Sequence, residues 1–212
     1  MKNVIAHRGY SSIYGDNNFV SFQKAIDNNF DYIEMDLQLN KDNEIVIFHN
    51  LYHNNQYIKQ MNNDEIKNNS IPFFYEFIEK FDYQNIKIIL DLKGDDILSN
   101  YLLEFFNNNK INTSNIIIAS FNENHLLPLK NKNLNLGFIT SNVFNSNYFF
   151  NIIHDYKYIL TDIDVINNNF IDLCHKHNKI VFCFTCHNNF EKNTLLNLNN
   201  LDGIISNIKI EK

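Results

Sequence analysis

The 212-residue chain has few of the residues that mark linkers, disulfide frameworks or membrane spans. Five glycines and two prolines leave no flexible segment to divide it, and three cysteines, an odd number, indicate reduced thiols. No apolar run approaches the ~20 residues of a membrane-spanning helix. No signal-peptide pattern precedes His7. We therefore predict one domain over residues 1–212, without stable membrane insertion, in the cytoplasm.

Positive charge is also scarce. The chain has 18 Lys and Arg against 24 Asp and Glu, a formal net charge of -6, and no basic run compensates locally. A protein that binds nucleic acid needs a basic surface to neutralise phosphates, so nucleic acid is excluded as a partner. The sequence does not indicate an oligomeric state.

Tryptophan is absent, but other apolar residues are plentiful enough for a core. Hydrophobic residues make up 44% of the chain and aromatics 14%, with 19 Phe and 11 Tyr. This content excludes disorder as the main state. Asparagine is unusually frequent, at 41 residues, and falls mostly between patterned segments. We interpret it as filling loops and helix faces.

Short β-rich runs alternate with longer segments of helical period, which is typical of βα units on a parallel sheet. Eight strands are predicted, at residues 3–6, 31–36, 86–92, 115–120, 134–140, 158–161, 179–184 and 201–206. Seven helices are predicted, at 18–28, 73–81, 96–107, 123–129, 146–154, 168–177 and 190–198. The expected fold is α/β, a compact (β/α)₈ TIM barrel with little or no final helix. A doubly wound open sheet is the alternative topology.

A β-hairpin is expected after the second strand. Residues 37–49 form two β-prone arms around a polar turn. With Asp42 and Asn43 as the two turn residues, Lys41 faces Glu44 and Asp36 faces the returning histidine at position 49.

Three carboxylates are expected together at the C-terminal ends of neighbouring strands. Glu34 and Asp36 are two residues apart and share one face of a strand, and Asp91 ends the next. Converging carboxylates repel one another unless a cation lies between them. An all-oxygen set suits Mg²⁺ or Ca²⁺ better than zinc, so a divalent metal ion is the expected cofactor.

Two cations and two histidines are expected at the same barrel end. Arg8 and Lys93 are suited to hold phosphate oxygens. His7 and His49 are suited to act as acid and base near neutral pH, one for the nucleophile and one for the leaving group. Together with the carboxylates, these residues predict a metal-assisted phosphodiesterase.

At these residues the sequence resembles the glycerophosphodiester phosphodiesterase family. The matching segments are His7-Arg8-Gly9, Asp16-Asn17-Asn18, Glu34-Met35-Asp36, Lys41-Asp42-Asn43, His49-Asn50 and Asp91-Leu92-Lys93, with weaker matches at 71–76, 120–121 and 202–206. The resemblance implies a TIM barrel that hydrolyses a small-molecule glycerophosphodiester to glycerol 3-phosphate and an alcohol.

The resemblance also implies roles for individual residues. It places a divalent ion on Glu34, Asp36 and Asp91, and the substrate phosphate on the two cations. His7 and His49 would be the acid and base pair. It leaves open which of them is the base, and whether water or the substrate's own hydroxyl attacks first.

Three residues depart from the family pattern. Asp16 replaces a usual Glu, Asn50 a usual Asp, and Asp91 a usual Glu, which shortens the third metal arm by one methylene. These changes keep open a second function, a module that binds a phosphate ligand without turnover.

A short segment after the hairpin predicts an open mouth. Residues 51–85 indicate only a turn around 64–67 and one helix. An open mouth admits soluble diesters, and equally a lysophospholipid for a lysophospholipase D-like activity. An acyl chain could then rest on the aromatics Phe73, Phe74, Tyr148, Phe149 and Phe150, although ordinary helix core is the favoured interpretation of these residues.

Two further sets of residues are left outside the site. Cys183-Phe184-Thr185-Cys186-His187 has the spacing of a haem attachment motif, and a zinc site with Cys174, His175 and His177 is conceivable; buried thiols are the favoured interpretation. The acids and histidine expected near the mouth, Glu123, His125, Asp162 and Asp164, are interpreted as loop residues or helix caps.

Overall fold

A computed structural model describes residues 2–142 and 146–211 of the chain. Within these residues, eight parallel strands form a ring in chain order. They are β1 (Asn3–Ala6), β2 (Tyr32–Leu39), β3 (Ile88–Leu92), β4 (Ile116–Ser120), β5 (Asn135–Thr140), β6 (Tyr158–Asp162), β7 (Ile180–Cys186) and β8 (Gly203–Ser206). Because β1 pairs with both β2 and β8, the sheet closes on itself. The TIM barrel is confirmed, and the open sheet is excluded.

The helices lie between the strands. Those in the described residues are α1 (Ser11–Tyr14), α2 (Phe19–Asp27), α3 (Asn63–Asn68), α4 (Phe74–Lys80), α5 (Leu98–Asn108), α6 (Glu123–Leu126), α7 (Ser146–Ile153), α8 (Asn168–Lys176) and α9 (Asn189–Leu196). The seven predicted helices correspond to α2 and α4 to α9, whereas α1 and α3 were not predicted. The described residues after β8 form no helix, as expected. Among the helices described, none has the length and apolarity needed to cross a bilayer.

Asparagine occupies positions where glycine is more usual. Asparagine tolerates the left-handed backbone region better than most residues, because its short side chain bonds locally. The described asparagines with positive φ are Asn17, Asn29, Asn43, Asn54, Asn55, Asn131, Asn133, Asn178 and Asn200. Others cap helix N-termini, namely Asn18, Asn62, Asn122, Asn167 and Asn188. A chain with few glycines can therefore still make many tight turns.

The hairpin after β2 is present, but its register differs by one residue from the predicted one. Its outer arm, Ile45–Ile47, pairs with β2 so that Leu37 faces Ile47 and Leu39 faces Ile45. The predicted pairs of Lys41 with Glu44 and of Asp36 with His49 are wrong. The loop has three residues, 41–43, closed by the Asn40 and Glu44 backbones. Asn43, at φ 62°, provides the left-handed residue that this loop type requires.

More structure follows the hairpin than the sequence predicts. A two-stranded ribbon, Tyr52–His53 with Gln56–Tyr57, precedes α3, where only a turn was expected. Ile58, Met61 and Ile66 of this segment are fully or almost fully buried against the outer face of the hairpin. The segment therefore packs against the hairpin through its own small apolar cluster.

The barrel interior explains how the strands aim polar side chains at one end. A layer of apolar residues fills it, including Ile5, Ile89 and Leu160. Alternate residues of a strand point to the same side. The residues two positions after these three are His7, Asp91 and Asp162, and all three line the cavity at the mouth. The apolar layer thus forms the floor beneath a polar ring.

Candidate active site

A cavity of about 400 Å³ opens at the C-terminal ends of the barrel strands. The seven residues that the sequence assigns to the site all line it. They are His7, Arg8, Glu34, Asp36, His49, Asp91 and Lys93. The closed barrel therefore brings together residues from three strands and from the loop after the hairpin.

The three carboxylates form a compact buried cluster. Glu34, Asp36 and Asp91 are 4%, 1% and 8% exposed, and one oxygen of each lies within 4.8 Å of the others. Burial, followed by repulsion from the other two acids, raises the pKa of Glu34 well above its usual value. Burial also raises the pKa of Asp91 to about 7, although the ammonium of Lys93 opposes the shift. Without a bound cation, the state in which all three carboxylates are charged is therefore disfavoured relative to a partly protonated one.

The cluster fits a hard divalent cation. Asp91 Oδ1 is buried and has no hydrogen-bond partner among the described residues. A buried acceptor without a partner costs about 1–3 kcal/mol, and more if charged, and a bound cation would satisfy it. The donors are all oxygen, as Mg²⁺ and Ca²⁺ prefer. In the part of the chain that is described, no other group of three or more such ligands converges.

The two cations lie directly beside this cluster. Arg8 Nε is 3.2 Å from Asp36 Oδ2, and its Nη1 is 2.8 Å from Asp16 Oδ2. Lys93 Nζ is 2.5 Å from Asp91 Oδ2 and 3.5 Å from Asp36 Oδ1. They offset part of the negative charge and border the space above the three carboxylates, where an anionic ligand would meet them.

The His-Arg-Gly turn depends on its glycine. Arg8 has φ 56° and Gly9 has φ 81°, so the chain reverses sharply after β1. A Cβ on Gly9 would collide with the hydroxyl of Ser21 in α2. The turn also directs the Arg8 backbone N–H to Glu34 Oε2, at 2.7 Å. Local backbone geometry therefore positions the Arg8 side chain and the Glu34 carboxylate together.

His7 is held by a residue from the other end of the chain. Its Nδ1 lies 2.6 Å from Asn207 Oδ1, which also accepts a hydrogen bond from Ser11 Oγ at 3.2 Å. The amide nitrogen of Asn207 contacts His187 Nδ1 at 2.9 Å. With the amide oxygen as acceptor, His7 carries its proton on Nδ1, which leaves Nε2 with a free lone pair. Burial and then the charge of Arg8 lower the pKa of His7 to about 4.

His49 reaches the cavity from the loop after the hairpin. The loop is tied down by Gln38, whose amide donates to the backbone oxygens of Phe48 and Asn50, each at 2.7 Å. His49 Nδ1 lies 2.9 Å from Asn50 Oδ1. The one-residue difference in register therefore leaves this histidine at the site, because the loop rather than the strand pairing positions it.

Two asparagines at the site were not predicted. Asn17, which is 4% exposed, donates to Asp36 Oδ2 at 2.8 Å and so orients a proposed metal ligand. Asn207 orients His7 as described above. Asn17 falls within the Asp-Asn-Asn loop and therefore had a sequence signal. Asn207 had none, because only barrel closure brings the end of the chain to β1.

The cavity wall opposite the carboxylate cluster contains further residues. Asp162 lines it, as do Phe121 and Phe184, whose ring centroids are 5.7 Å apart. Two residues considered near the mouth are instead tied elsewhere. His125 is buried against Ser120, and Glu123 accepts from the Tyr156 hydroxyl and from Lys130.

The three cysteines are free and buried. Burial raises the pKa of the thiols of Cys174, Cys183 and Cys186. A buried neutral thiol is neither a reactive nucleophile nor a ready metal ligand. The buried-thiol interpretation is confirmed, and the motif at Cys183 carries no haem or zinc chemistry that the geometry supports.

A closed barrel with a buried acidic cluster, two histidines and two cations at its mouth is the arrangement expected of a phosphate-ester hydrolase. The glycerophosphoryl diester phosphodiesterase family model matches residues 7–208. The chain belongs to this family. The predicted family, a family of phosphodiesterases, is thereby confirmed.

Curated relatives agree with this assignment. A glycerophosphodiester phosphodiesterase of Caldanaerobacter subterraneus subsp. tengcongensis is 27% identical over 113 residues, which are 45% of this chain and 46% of that protein. A putative one of Bacillus subtilis is 46% identical over 46 residues, 22% and 19% of the two chains. The chain spans about half the length, or less, of the curated relatives it matches.

The structural likeness extends over nearly the whole chain. A phosphodiesterase of Oleispira antarctica, solved in complex with the product sn-glycerol-3-phosphate, superposes with a TM-score of 0.86. The match is 20% identical and covers 98% of this chain and 93% of the other. At this identity the likeness establishes the shared barrel fold.

Proposed function

We propose that this protein hydrolyses glycerophosphodiesters to glycerol 3-phosphate and an alcohol, with a divalent metal ion on Glu34, Asp36 and Asp91. One observation carries the proposal. The buried acidic cluster, with its unpartnered oxygen on Asp91, shares a cavity with two histidines and two cations. The product bound by the Oleispira antarctica phosphodiesterase is the one expected here.

The arrangement of His7 favours it as the general base. Because its Nδ1–H is engaged by Asn207, its Nε2 lone pair is available to a hydroxyl in the cavity. A pKa of about 4 keeps the ring neutral at pH 7, as a base must be before the reaction. A ring with so low a pKa is a poor proton donor at that pH, so the acid role falls to the other histidine, His49.

Two proton transfers accompany the cleavage in this assignment. The attacking hydroxyl, of water or of the substrate's own glycerol, gives its proton to His7 as its oxygen bonds to phosphorus. The bond from phosphorus to the alcohol oxygen breaks, and that oxygen takes a proton from His49. Attack by water gives glycerol 3-phosphate directly. Attack by the glycerol hydroxyl gives a cyclic glycerol phosphate, which a water molecule then opens to glycerol 3-phosphate, with the two histidines exchanging their acid and base roles. Arg8 and Lys93 hold the phosphoryl oxygens, one as a fork and one as a point charge. A divalent ion, when bound, stabilises negative charge that builds on those oxygens.

The observations weigh against the two alternatives. The aromatic surface suggested for an acyl chain is absent where it can be described, because Phe73, Phe74 and Phe149 are buried at 2%, 0% and 2% exposure. The side chains of Tyr148 and Phe150 lie outside the described residues. A binding module without turnover would not need an acid and base pair, yet both histidines line the cavity. Location in the cytoplasm and the single-domain organisation stay predictions of the sequence.

The test is release of glycerol 3-phosphate from glycerophosphocholine and glycerophosphoethanolamine, with Mg²⁺, Ca²⁺ or Mn²⁺ added, or with chelator. His7→Ala and His49→Ala should each lower kcat by at least 100-fold, the usual range for losing a general acid or base. His154→Ala is the matched control, since this histidine is 85% exposed and does not line the cavity.

Chelator-sensitive turnover that both cavity variants lose supports the proposal. A folded wild-type protein that binds metal, measured as a rise in Tm, but turns over no diester would refute it. Equal activity of all three histidine variants would refute the acid and base assignment alone.

A further inference from the structure

The wall of the cavity opposite the metal ligands contains a carboxylate of a different kind. Around the ring, β6 is four strands from β2 in either direction, so Asp162 faces the Glu34 and Asp36 side of the mouth. An eight-stranded barrel encloses a space only wide enough for side chains or one small ligand. A diester held at the carboxylate cluster therefore extends one of its substituents toward Asp162.

Asp162 has no cationic contact in the part of the chain that is described. Three of the other four cavity acids do: Asp16, Asp36 and Asp91 each form an ion pair with Arg8 or Lys93. The fourth, Glu34, accepts a hydrogen bond from the Arg8 backbone N–H. The hydrogen bonds recorded to the Asp162 side chain come from neutral donors. These are the hydroxyl of Ser141, at 3.3 Å, and the backbone N–H of Asp164, at 2.9 Å.

Two aromatic rings line the same cavity as this carboxylate. Phe184 of β7 is the direct strand partner of Asp162, so both side chains point into the mouth. The rings of Phe121 and Phe184 pack edge to face, with an interplanar angle of 78° and centroids 5.7 Å apart. Phe121 also has Lys93 Nζ 5.3 Å from its centroid, which shows that an ammonium group is accommodated on this aromatic wall. A carboxylate beside aromatic faces is the usual receptor for a quaternary or primary ammonium group.

The balance of charges in the cavity also favours a cationic ligand beside Asp162. Five carboxylates line it against one Arg and one Lys. A divalent ion and the two cations offset the four acids of the catalytic side, which leaves Asp162 uncompensated. A neutral alcohol would not offset this charge, whereas an amino alcohol would bring a positive charge to it.

We propose that Asp162 and Phe184, with Phe121, form a subsite for the cationic head group of the substrate, so that the enzyme prefers glycerophosphodiesters of amino alcohols such as choline and ethanolamine. This inference rests on the proposed diesterase function. It goes further by naming the class of alcohol that is released.

The test compares kcat/KM for glycerophosphocholine with kcat/KM for glycerophosphoglycerol, which has the same phosphodiester and an uncharged alcohol. Asp162→Asn removes the charge but keeps both contacts: the amide oxygen can accept from the Asp164 N–H, and the amide NH₂ can donate to the Ser141 hydroxyl oxygen. The ratio of kcat/KM for glycerophosphocholine to kcat/KM for glycerophosphoglycerol should fall at least tenfold in this variant. Asp164→Asn is the matched control, since Asp164 is exposed and does not line the cavity, and it should leave the ratio unchanged.

Phe184→Leu tests the aromatic contribution. Loss of the ring should lower the ratio roughly two- to fivefold, the range expected for a partly exposed cation–π contact. A ratio that Asp162→Asn leaves unchanged, because both substrates lose activity equally, would overturn the inference and leave Asp162 as a structural cap.

A second experiment separates failure of this inference from failure of the proposed diesterase function. If the wild type turns over neither substrate, choline chloride is titrated into the metal-loaded protein and followed by chemical-shift changes in NMR spectra. Saturable binding that Asp162→Asn abolishes still supports the cationic subsite. No saturable binding to the wild type overturns it.

Discussion

Replacing Asp91 by Asn should make the metal-free protein more stable at alkaline pH, although the change removes an ion pair with Lys93. Asp91 is 8% exposed, and burial raises its pKa from 3.8 to about 7 despite that ion pair. A raised pKa in the folded state means that the group's contribution to stability is complete below about pH 4. It is lost as the pH rises through 7.

The shift sets an upper limit on the size of the effect. At ~1.36 kcal/mol for each pKa unit, the three-unit shift of Asp91 corresponds to roughly 4 kcal/mol of lost stability at pH 8. An amide cannot ionise, so Asp91→Asn escapes this penalty. The free energy of unfolding of the variant should therefore exceed that of the wild type by up to about 4 kcal/mol at pH 8, and by almost nothing near pH 4.

The difference between the two proteins is the quantity to measure, because other groups titrate in the same window. Burial lowers the pKa of His7 to about 4, so its contribution is lost as the pH falls from about 6.5. That effect is opposite in sign and largely cancels in the difference. The assay is urea unfolding with chelator at several pH values, followed by circular dichroism because the chain has no tryptophan.

Added metal should make the wild type more stable than Asp91→Asn, the reverse of the order expected without metal. A divalent ion at many times its Kd stabilises the wild type by RT ln(1 + [L]/Kd), and Asp91→Asn should lose most of this gain. Asp172→Asn, at an exposed position of α8, is the control for changing any one acid. If metal-free Asp91→Asn is less stable than the wild type at pH 8, the premise that this carboxylate is uncompensated without metal is wrong.

Three other predictions concern single residues. Asn207→Asp, which gives His7 a charged acceptor, should raise the pKa of His7 and move the acidic limb of the pH–rate profile of kcat/KM to higher pH; an unchanged limb would contradict the proposed contact. Arg8→Lys keeps the charge but loses the fork, and at least a tenfold loss of kcat/KM is expected, whereas full activity would show that one point charge suffices. Gly203→Ala would place a Cβ 2.7 Å from the Phe182 ring and should cost about 1–3 kcal/mol of stability in urea unfolding, unless the core shifts.

Local patterns were sufficient to predict the strands, since each has its own apolar run and turn residues. The hairpin register was not predictable to one residue, because a two-residue and a three-residue loop fit the same arms. The left-handed conformation of Asn43, which selects the longer loop, has no unambiguous sequence signal in a chain with asparagine at so many other positions. The short helices α1 and α3 were missed because four and six residues carry little periodicity.

Proposed site residues that lie at the end of a strand could be predicted from the sequence. Residues that reach the site only because the barrel closes could not. Glu34, Asp36 and Asp91 share the spacing and strand position that a parallel sheet requires. Asn207 contacts His7 across 200 positions of sequence, and Asp162 faces the carboxylate cluster from the other side of the ring. Such contacts depend on which strand pairs with which, and that is a property of the whole barrel.

The three departures from the family pattern keep contacts of the kind that the site needs. Asp16 still reaches Arg8, at 2.8 Å, and Asn50 still accepts from the histidine beside it. Asp91, although one methylene shorter than Glu, stays within 4.8 Å of the other two acids and pairs with Lys93. Because a carboxylate held this way has one oxygen on the lysine and the other unpartnered, the shorter arm still presents a free ligand atom to a cation. The substitutions at positions 16 and 91 therefore shorten the reach of a carboxylate but keep its charge, whereas Asn50 gives up a charge and keeps the contact with His49.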